Sequence, residues 1–250
     1  MLRDLRPAWV AASAKKLIGI KRIPLHVDAG TFHIDPISHF GCNLIQHRAY
    51  EPAMTDTLRR YLKPGGVFVD VGANEGYFSV LASCIVGPSG RVIAVEPQSR
   101  LQEVLRENFR LNGLTNVSLV QAAVSNEDGA SVFHLSPDVN TGSSGLSLAT
   151  KYQVETEQVR TSTLSRILSE AAVDHVDLMK MDIEGFEYEA ILGSLDLFRK
   201  GIVRALALEL HRSAISRRGL DAELLLESLR EFKYELDESC ATTVYVYSVT

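Results

Sequence analysis

Two carboxyl side chains one residue apart, Asp182 and Glu184, lie in the segment Lys180-Met181-Asp182-Ile183-Glu184-Gly185-Phe186-Glu187, and His211 follows Glu209-Leu210 further on. Groups of these types can hold or take a proton near neutrality, the imidazole without help and a carboxylate once its surroundings adjust it. The pattern fits a reaction in which an oxygen nucleophile gives up its proton, with one carboxylate orienting the acceptor and another group acting as base. The choice of base among Asp182, Glu184 and His211 stays open on sequence alone. The same residues, with Glu209, are capable of ligating a divalent ion, but their spacing shows no neat ligand triad and no metal is assigned. Glu187 and Glu189 read as solvated helix positions.

A second constellation lies upstream, in Val67-Phe68-Val69-Asp70-Val71-Gly72-Ala73-Asn74-Glu75-Gly76-Tyr77-Phe78. A short β-branched run ends in an acid and then a turn with two glycines, ahead of a helical pattern. Glycine lets the backbone turn tightly and approach a ligand, and a helix start offers unpaired N–H groups. The dinucleotide pattern G-x-G-x-x-G is not met, because Asn74 stands where its second glycine would be. A ligand without a pyrophosphate fits better, and S-adenosylmethionine is such a ligand: its ammonium favours Asp70, directly or through water. The next strand ends in Glu96-Pro97, where a carboxylate can accept from both ribose hydroxyls. Small residues at Ala122-Ala123 leave room for an adenine ring. The expected cofactor-binding set is Asp70, Gly72, Ala73, Asn74, Gly76, Tyr77, Phe78, Glu96, Pro97, Ala123 and Asp182, with one of Tyr77 and Phe78 packing on the cofactor and the other in the core.

These residues need a scaffold that brings strand ends to one edge. From Glu51 onward strand and helix patterns alternate. Strands are expected at 67–71, 92–95, 117–121, 176–181 and 203–210, and helices at 51–63, 76–86, 99–112, 164–172, 187–198 and 221–232, with antiparallel strands at 234–236 and 243–249. Such alternation gives an α/β, doubly wound, Rossmann-like sheet with ligands at the carboxyl ends of its strands. Residues 1–50 read as an irregular N-terminal extension and 51–250 as the single domain. Within it, 125–161 forms an inserted lid or substrate element that offers Ser143 and Ser144 to an acceptor. Tyr50-Glu51-Pro52 opens the first helix and is placed to close over the cofactor.

The chain has 250 residues, a net charge of −5 and no Lys/Arg-rich run, so a nucleic-acid partner is not expected. Cys42, Cys84 and Cys240 are too few and too far apart for a disulfide framework or a zinc site, which points to a reduced, cytoplasmic setting. The first two dozen residues carry an alanine-rich stretch closed by Lys15 and Lys16, with Asp4 where a signal peptide is basic; a loosely packed helix is expected there. No run approaches the roughly 18 apolar residues of a membrane span. Nothing in the sequence sets the oligomeric state.

The pieces FVDVGANEGYFS, GPSGRVIAVEP, ENFRLNGLTNVSLVQAAVSNEDG, VDLMKMDIEGFEYEAILG and ALALELH, in that order, resemble the FkbM family of methyltransferases over roughly Tyr50 to His211. The resemblance implies a class I methyltransferase fold, a seven-stranded sheet with an antiparallel last strand. It also implies methyl transfer from S-adenosylmethionine to a hydroxyl oxygen of a small molecule, such as a sugar or secondary metabolite. A cofactor-binding protein without turnover, or an enzyme acting on a protein side chain, is consistent with the same residues.

Overall fold

The computed structural model describes residues 19–136, 138–146 and 155–247. An N-terminal hairpin, β1 (Ile23–Val27) and β2 (Gly30–Ile34), leads into α1 (His39–His47) and α2 (Pro52–Tyr61). Then follow β3 (Val67–Val71), α3 (Tyr77–Val86), β4 (Arg91–Val95), α4 (Ser99–Leu111) and β5 (Val117–Val120). The strands β6 (Ala123–Val124), β7 (Gly129–Leu135) and β8 (Glu155–Ser162) precede α5 (Leu164–Glu170), β9 (Leu178–Met181), α6 (Glu187–Leu192) and α7 (Leu195–Arg199). The chain closes with β10 (Ala205–Leu208), α8 (Arg212–Arg217), α9 (Ala222–Glu231), β11 (Tyr234–Leu236) and β12 (Val244–Tyr247).

The central sheet has seven strands in the order β11-β12-β10-β9-β3-β4-β5. Strands β10, β9, β3, β4 and β5 run parallel, and β12 pairs antiparallel with both β10 and β11. This is the doubly wound sheet with an antiparallel last strand expected above. All five residues of β3 are buried, and alternate side chains enter two separate cores. Phe68, with Val92, Ala94 and Leu178, meets α2, α3 and α4 on one face. Val69 and Val71, with Ile93, Val95, Met179 and Met181, meet the helices α5, α6, α7 and α9 on the other. Burial on both faces is what selects near-continuous apolar runs in parallel strands.

Three expectations are corrected. Residues 19–50 are not an irregular extension: the β1–β2 hairpin is docked on α4 by two asparagines. Asn112 accepts from the Thr31 N–H at 2.8 Å and donates to the Thr31 carbonyl at 2.7 Å, as a neighbouring strand would, and Asn108 accepts from the His33 N–H. The helix expected over 187–198 breaks into α6 and α7 at Ser194, whose φ of −143° leaves the helical region, just after Gly193 passes so close to Asn126 that a Cβ there would meet its Cα at 2.3 Å. Ala123–Val124, read only as small residues, pair with β8, so that β6-β8-β7 form a second, three-stranded sheet. The helix expected in the first two dozen residues falls mainly outside the described residues. Among the described residues, no helix is long and apolar enough to cross a membrane.

Candidate active site

Strand order reverses between β3 and β9, and at such a switch point the connections leaving the carboxyl ends of the strands turn to opposite faces and leave a crevice. A cavity of about 310 Å³ occupies it, lined by residues from the ends of β3, β4, β9 and β10, from the 122–124 segment, from Tyr50 and Glu51, and from residues 140–146. Of the residues selected from the sequence, Gly72, Asn74, Glu96, Pro97, Ala123, Asp182 and Glu184 line it, while Asp70, Ala73, Gly76, Tyr77, Phe78 and His211 do not.

The glycines at the first turn serve the protein's own packing. Gly72 has φ +85°, and a Cβ there would lie 2.0 Å from the carbonyl oxygen of Asp182. The two strand ends that flank the crevice can approach this closely only at glycine. Gly76, at φ +83°, gives room to Leu105 and Phe109 of α4 rather than to the cavity. Tyr77 and Phe78 are both buried in an aromatic cluster with Phe32, Phe40 and Tyr50, with Tyr77 stacked on Phe32 at 5.2 Å. Neither lines the cavity: Phe32 of β2 and Phe40 of α1 pack on Tyr77, and Tyr50 stands between Phe78 and the cavity it lines.

Asp70 sits one layer behind the cavity. Its Oδ2 accepts from the Ser79 hydroxyl at 2.6 Å, and its Oδ1 is buried with no partner among the described residues. Burial pushes its carboxyl upward, against the pull of Lys180 and the Ser79 bond. Glu96 is buried at the cavity wall, with Oε2 accepting from the Asn74 N–H at 2.9 Å and Oε1 from the Gln98 N–H at 3.0 Å. Desolvation raises its carboxyl too, opposed by these two bonds. Each carboxylate oxygen has a second lone pair, so Glu96 can shape the turn and still receive hydroxyls.

The segment leaving β7 folds back over this wall. The Thr141 hydroxyl donates to Asn74 Oδ1, and the Thr141 carbonyl accepts from Gln98 Nε2 at 3.2 Å. Arg100 reaches Gln98 Oε1, the Ser136 carbonyl and Ser144 Oγ. Ala122, Ala123, Val124, Phe133 and Leu146 make the cavity apolar at the β5–β7 end.

The β9–β10 end is acidic. Glu51, Asp182, Glu184 and Glu209 line it. Lys180, buried beneath, contacts Asp182 Oδ2 at 3.3 Å; burial opposes its charge, but Asp182, Asp70 and Glu51 outweigh that and hold it at about 12. Lys180 was overlooked in the sequence, where a strand lysine gives no sign that it ends among carboxylates. Glu184 adopts φ +54°, and desolvation lifts its carboxyl to about 7. Behind it His211 places Nδ1 2.8 Å from Glu187 Oε1, a bond that raises the imidazole to about 9. Glu187 is wholly buried and also accepts from the Gly185 N–H, while Glu189 pairs with Arg218; neither is a solvated position. Asp182, Glu184 and His211, which show no ligand pattern in sequence, each place a ligating atom within 4.8 Å of the others.

A second cavity, of about 280 Å³, adjoins the first and shares Glu51, Asp182 and Glu209 with it. Lys180, Met54, Leu210 and Thr242 complete much of its lining.

Strand order, glycine turn and strand-end acid together are those of the class I methyltransferase fold. The chain belongs to the FkbM methyltransferase domain family, whose profile matches residues 70–236. A protein-L-isoaspartate O-methyltransferase of Aeropyrum pernix is 32% identical over 127 residues, which cover 47% of this chain and 46% of that protein. The 2-O-methyltransferase NoeI of Sinorhizobium fredii is 28% identical over 153 residues, covering 55% and 61% respectively. The chain therefore spans less than two thirds of either relative. The solved structure of methyltransferase FkbM from Methylobacillus flagellatus is 16% identical, with a TM-score of 0.46, covering 86% of this chain and 63% of that one.

Proposed function

We propose that this chain transfers the methyl group of S-adenosylmethionine to a hydroxyl oxygen of a small molecule, with the cofactor in the first cavity and the acceptor in the second. The observation that carries the reading is the polarity of the first cavity, apolar at Phe133 and Leu146 and acidic at Asp182, Glu184 and Glu209. An adenine ring fits the first end, and a sulfonium and an ammonium fit the second. The orphaned Oδ1 of Asp70, buried behind the turn, suits the ammonium through a bridging water. When bound, S-adenosylmethionine supplies the electrophilic methyl carbon.

The chain's own residues would bind and align. Glu96 receives the ribose, Gly72, Asn74 and Pro97 frame it, and Ala123 lies under the base. Residues 138–146 act as a lid, since Thr141 ties them to Asn74 and Gln98. Asp182 borders both cavities, so it is placed to orient the acceptor hydroxyl and take its proton, with Lys180 steadying its other oxygen. Alignment of this kind supplies several kcal/mol of a displacement barrier. Four carboxylates at the boundary disfavour an acceptor that brings its own negative charge. That weighs against the isoaspartate substrate named for the Aeropyrum relative and toward a neutral hydroxyl, the chemistry in the name of NoeI.

Titration calorimetry with S-adenosylmethionine, S-adenosylhomocysteine and NAD tests the reading. Binding of the first two alone supports it, and a screen of neutral sugars and polyols for methyl transfer follows. Failure to bind either sulfur compound rejects it.

A further inference from the structure

We propose that Asp182, Glu184 and His211 form a divalent-cation site beside the acidic end of the first cavity, with Glu209 at its rim, for a divalent transition cation such as Mn²⁺. The donor set is assembled from two strand ends: Asp182 and Glu184 from the turn after β9, Glu209 and His211 from the segment after β10. His211 Nε2 lies 3.6 Å from Glu184 Oε2, 3.9 Å from Asp182 Oδ1 and 4.0 Å from Glu209 Oε1. These separations are too long for hydrogen bonds. They fall within the roughly 3–4.4 Å over which atoms bound at about 2.0–2.2 Å to a common centre can lie from one another. Asp182 uses Oδ2 on Lys180, which leaves Oδ1 turned toward the imidazole.

A second observation concerns Glu187. Its wholly buried carboxyl is aimed into the cluster, with Oε1 2.8 Å from His211 Nδ1 and Oε2 without a partner among the described residues. A carboxylate on one ring nitrogen fixes the tautomer that leaves the other free to ligate, and this carboxylate–histidine pairing is the common second layer of metal sites. The Gly185 N–H, donated to the same Oε1, holds the carboxylate in place. Imidazole with carboxylates suits Mn²⁺ or Zn²⁺; Ca²⁺ asks for six to eight oxygens, which this cluster does not offer. The cluster's place at the first cavity's acidic end gives the ion a use that rests on the methyltransferase reading: it would hold the acceptor oxygen beside the methyl carbon, with Asp182 orienting the acceptor through the ion in the loaded protein and acting as the direct base only in its absence.

The test uses the full chain after chelator treatment, titrated with MnCl₂ and followed by calorimetry and by electron paramagnetic resonance. The expected result is one Mn²⁺ per chain, bound more tightly than about 1 mM, with nitrogen coupling from a single imidazole in the pulsed spectrum. Glu184→Gln should weaken binding by at least about ten-fold, and Glu187→Gln by about 10- to 100-fold through the imidazole alone. Circular dichroism of each variant guards against misfolding. Wild-type protein that takes up no Mn²⁺ overturns the proposal, as does bound Mn²⁺ without nitrogen coupling. S-adenosylmethionine binding, measured on the same samples, separates failure of the ion site from failure of the methyltransferase reading.

Discussion

The hydroxyl of Thr141 donates to Oδ1 of Asn74 at 2.8 Å, joining the segment between β7 and β8 to the glycine turn after β3. Thr141 is nearly buried, and Asn74 holds φ +48°, a conformation that asparagine tolerates better than most residues. The bond therefore links two parts of the cavity wall that are far apart in sequence. Thr141→Val keeps the shape and removes the donor, at a cost of about 0.5–1.5 kcal/mol. The expected outcome is a few-fold faster release of S-adenosylhomocysteine in stopped-flow displacement, with an unfolding midpoint only slightly lowered. Equal release rates would show that residues 138–146 do not retain the cofactor.

Glu96 carries two roles at once, and substitutions should separate them. Alanine leaves the N–H groups of Asn74 and Gln98 without their acceptor in a buried turn, besides removing the ribose partner. The expected loss of S-adenosylmethionine affinity is about 1–3 kcal/mol, or roughly 5- to 150-fold. Glu96→Gln retains one carbonyl oxygen and should lose less. Calorimetry on both variants decides it, and a folded Glu96→Ala protein that binds like wild type removes the assignment.

Asp182→Asn preserves volume at the boundary of the two cavities but cannot accept a proton. Turnover on the acceptor found by screening should fall by about 10²- to 10⁴-fold, the usual contribution of a positioned base. Affinity for S-adenosylhomocysteine should change by no more than a few-fold. A loss confined to cofactor affinity, with turnover intact, assigns Asp182 to binding only.

The parts of the site legible in sequence were those set by the run of one strand into its own turn. Val67–Val71 ending in Asp70 and Gly72, and Arg91–Val95 ending in Glu96, announce a parallel sheet edge without knowledge of neighbours. What stayed hidden depends on contacts across the chain. Glu187 looks solvated at the start of a helix, yet it is buried because Gly185, at φ +103°, turns the chain toward Ala214 and His211. The β1–β2 hairpin escaped because Asp28-Ala29 lacks the glycine pair or Asn-Gly that marks a two-residue turn. His26 and His33 in its strands also read as turn-like sequence. Asn108 and Asn112 look like exposed helix positions and prove to be the edge on which that hairpin docks.

That docking makes a stability prediction independent of chemistry. Asn112→Ala leaves the N–H and carbonyl of Thr31 without their side-chain partner, and Thr31 is half-buried. Loss of about 1–3 kcal/mol is expected, read as a lower urea midpoint at constant slope. Hydrogen exchange should quicken in residues 23–34 ahead of the central strands. Uniform quickening across the sheet would instead mean that the hairpin and the sheet unfold as one unit.

Gly72→Ala tests the approach of the two strand ends directly. The new methyl would stand 2.0 Å from the Asp182 carbonyl oxygen, on a residue held at φ +85°. The backbone conformation alone costs a non-glycine residue about 1–3 kcal/mol. Relief of the clash requires β3 and β9 to part at their carboxyl ends, because Asp182 is fixed there by its N–H bond to the Val71 carbonyl. Both the urea midpoint and S-adenosylmethionine affinity should therefore drop together. A variant that loses stability but binds the cofactor normally would show that the crevice tolerates such parting, and that the position of Asp182 does not depend on the glycine turn.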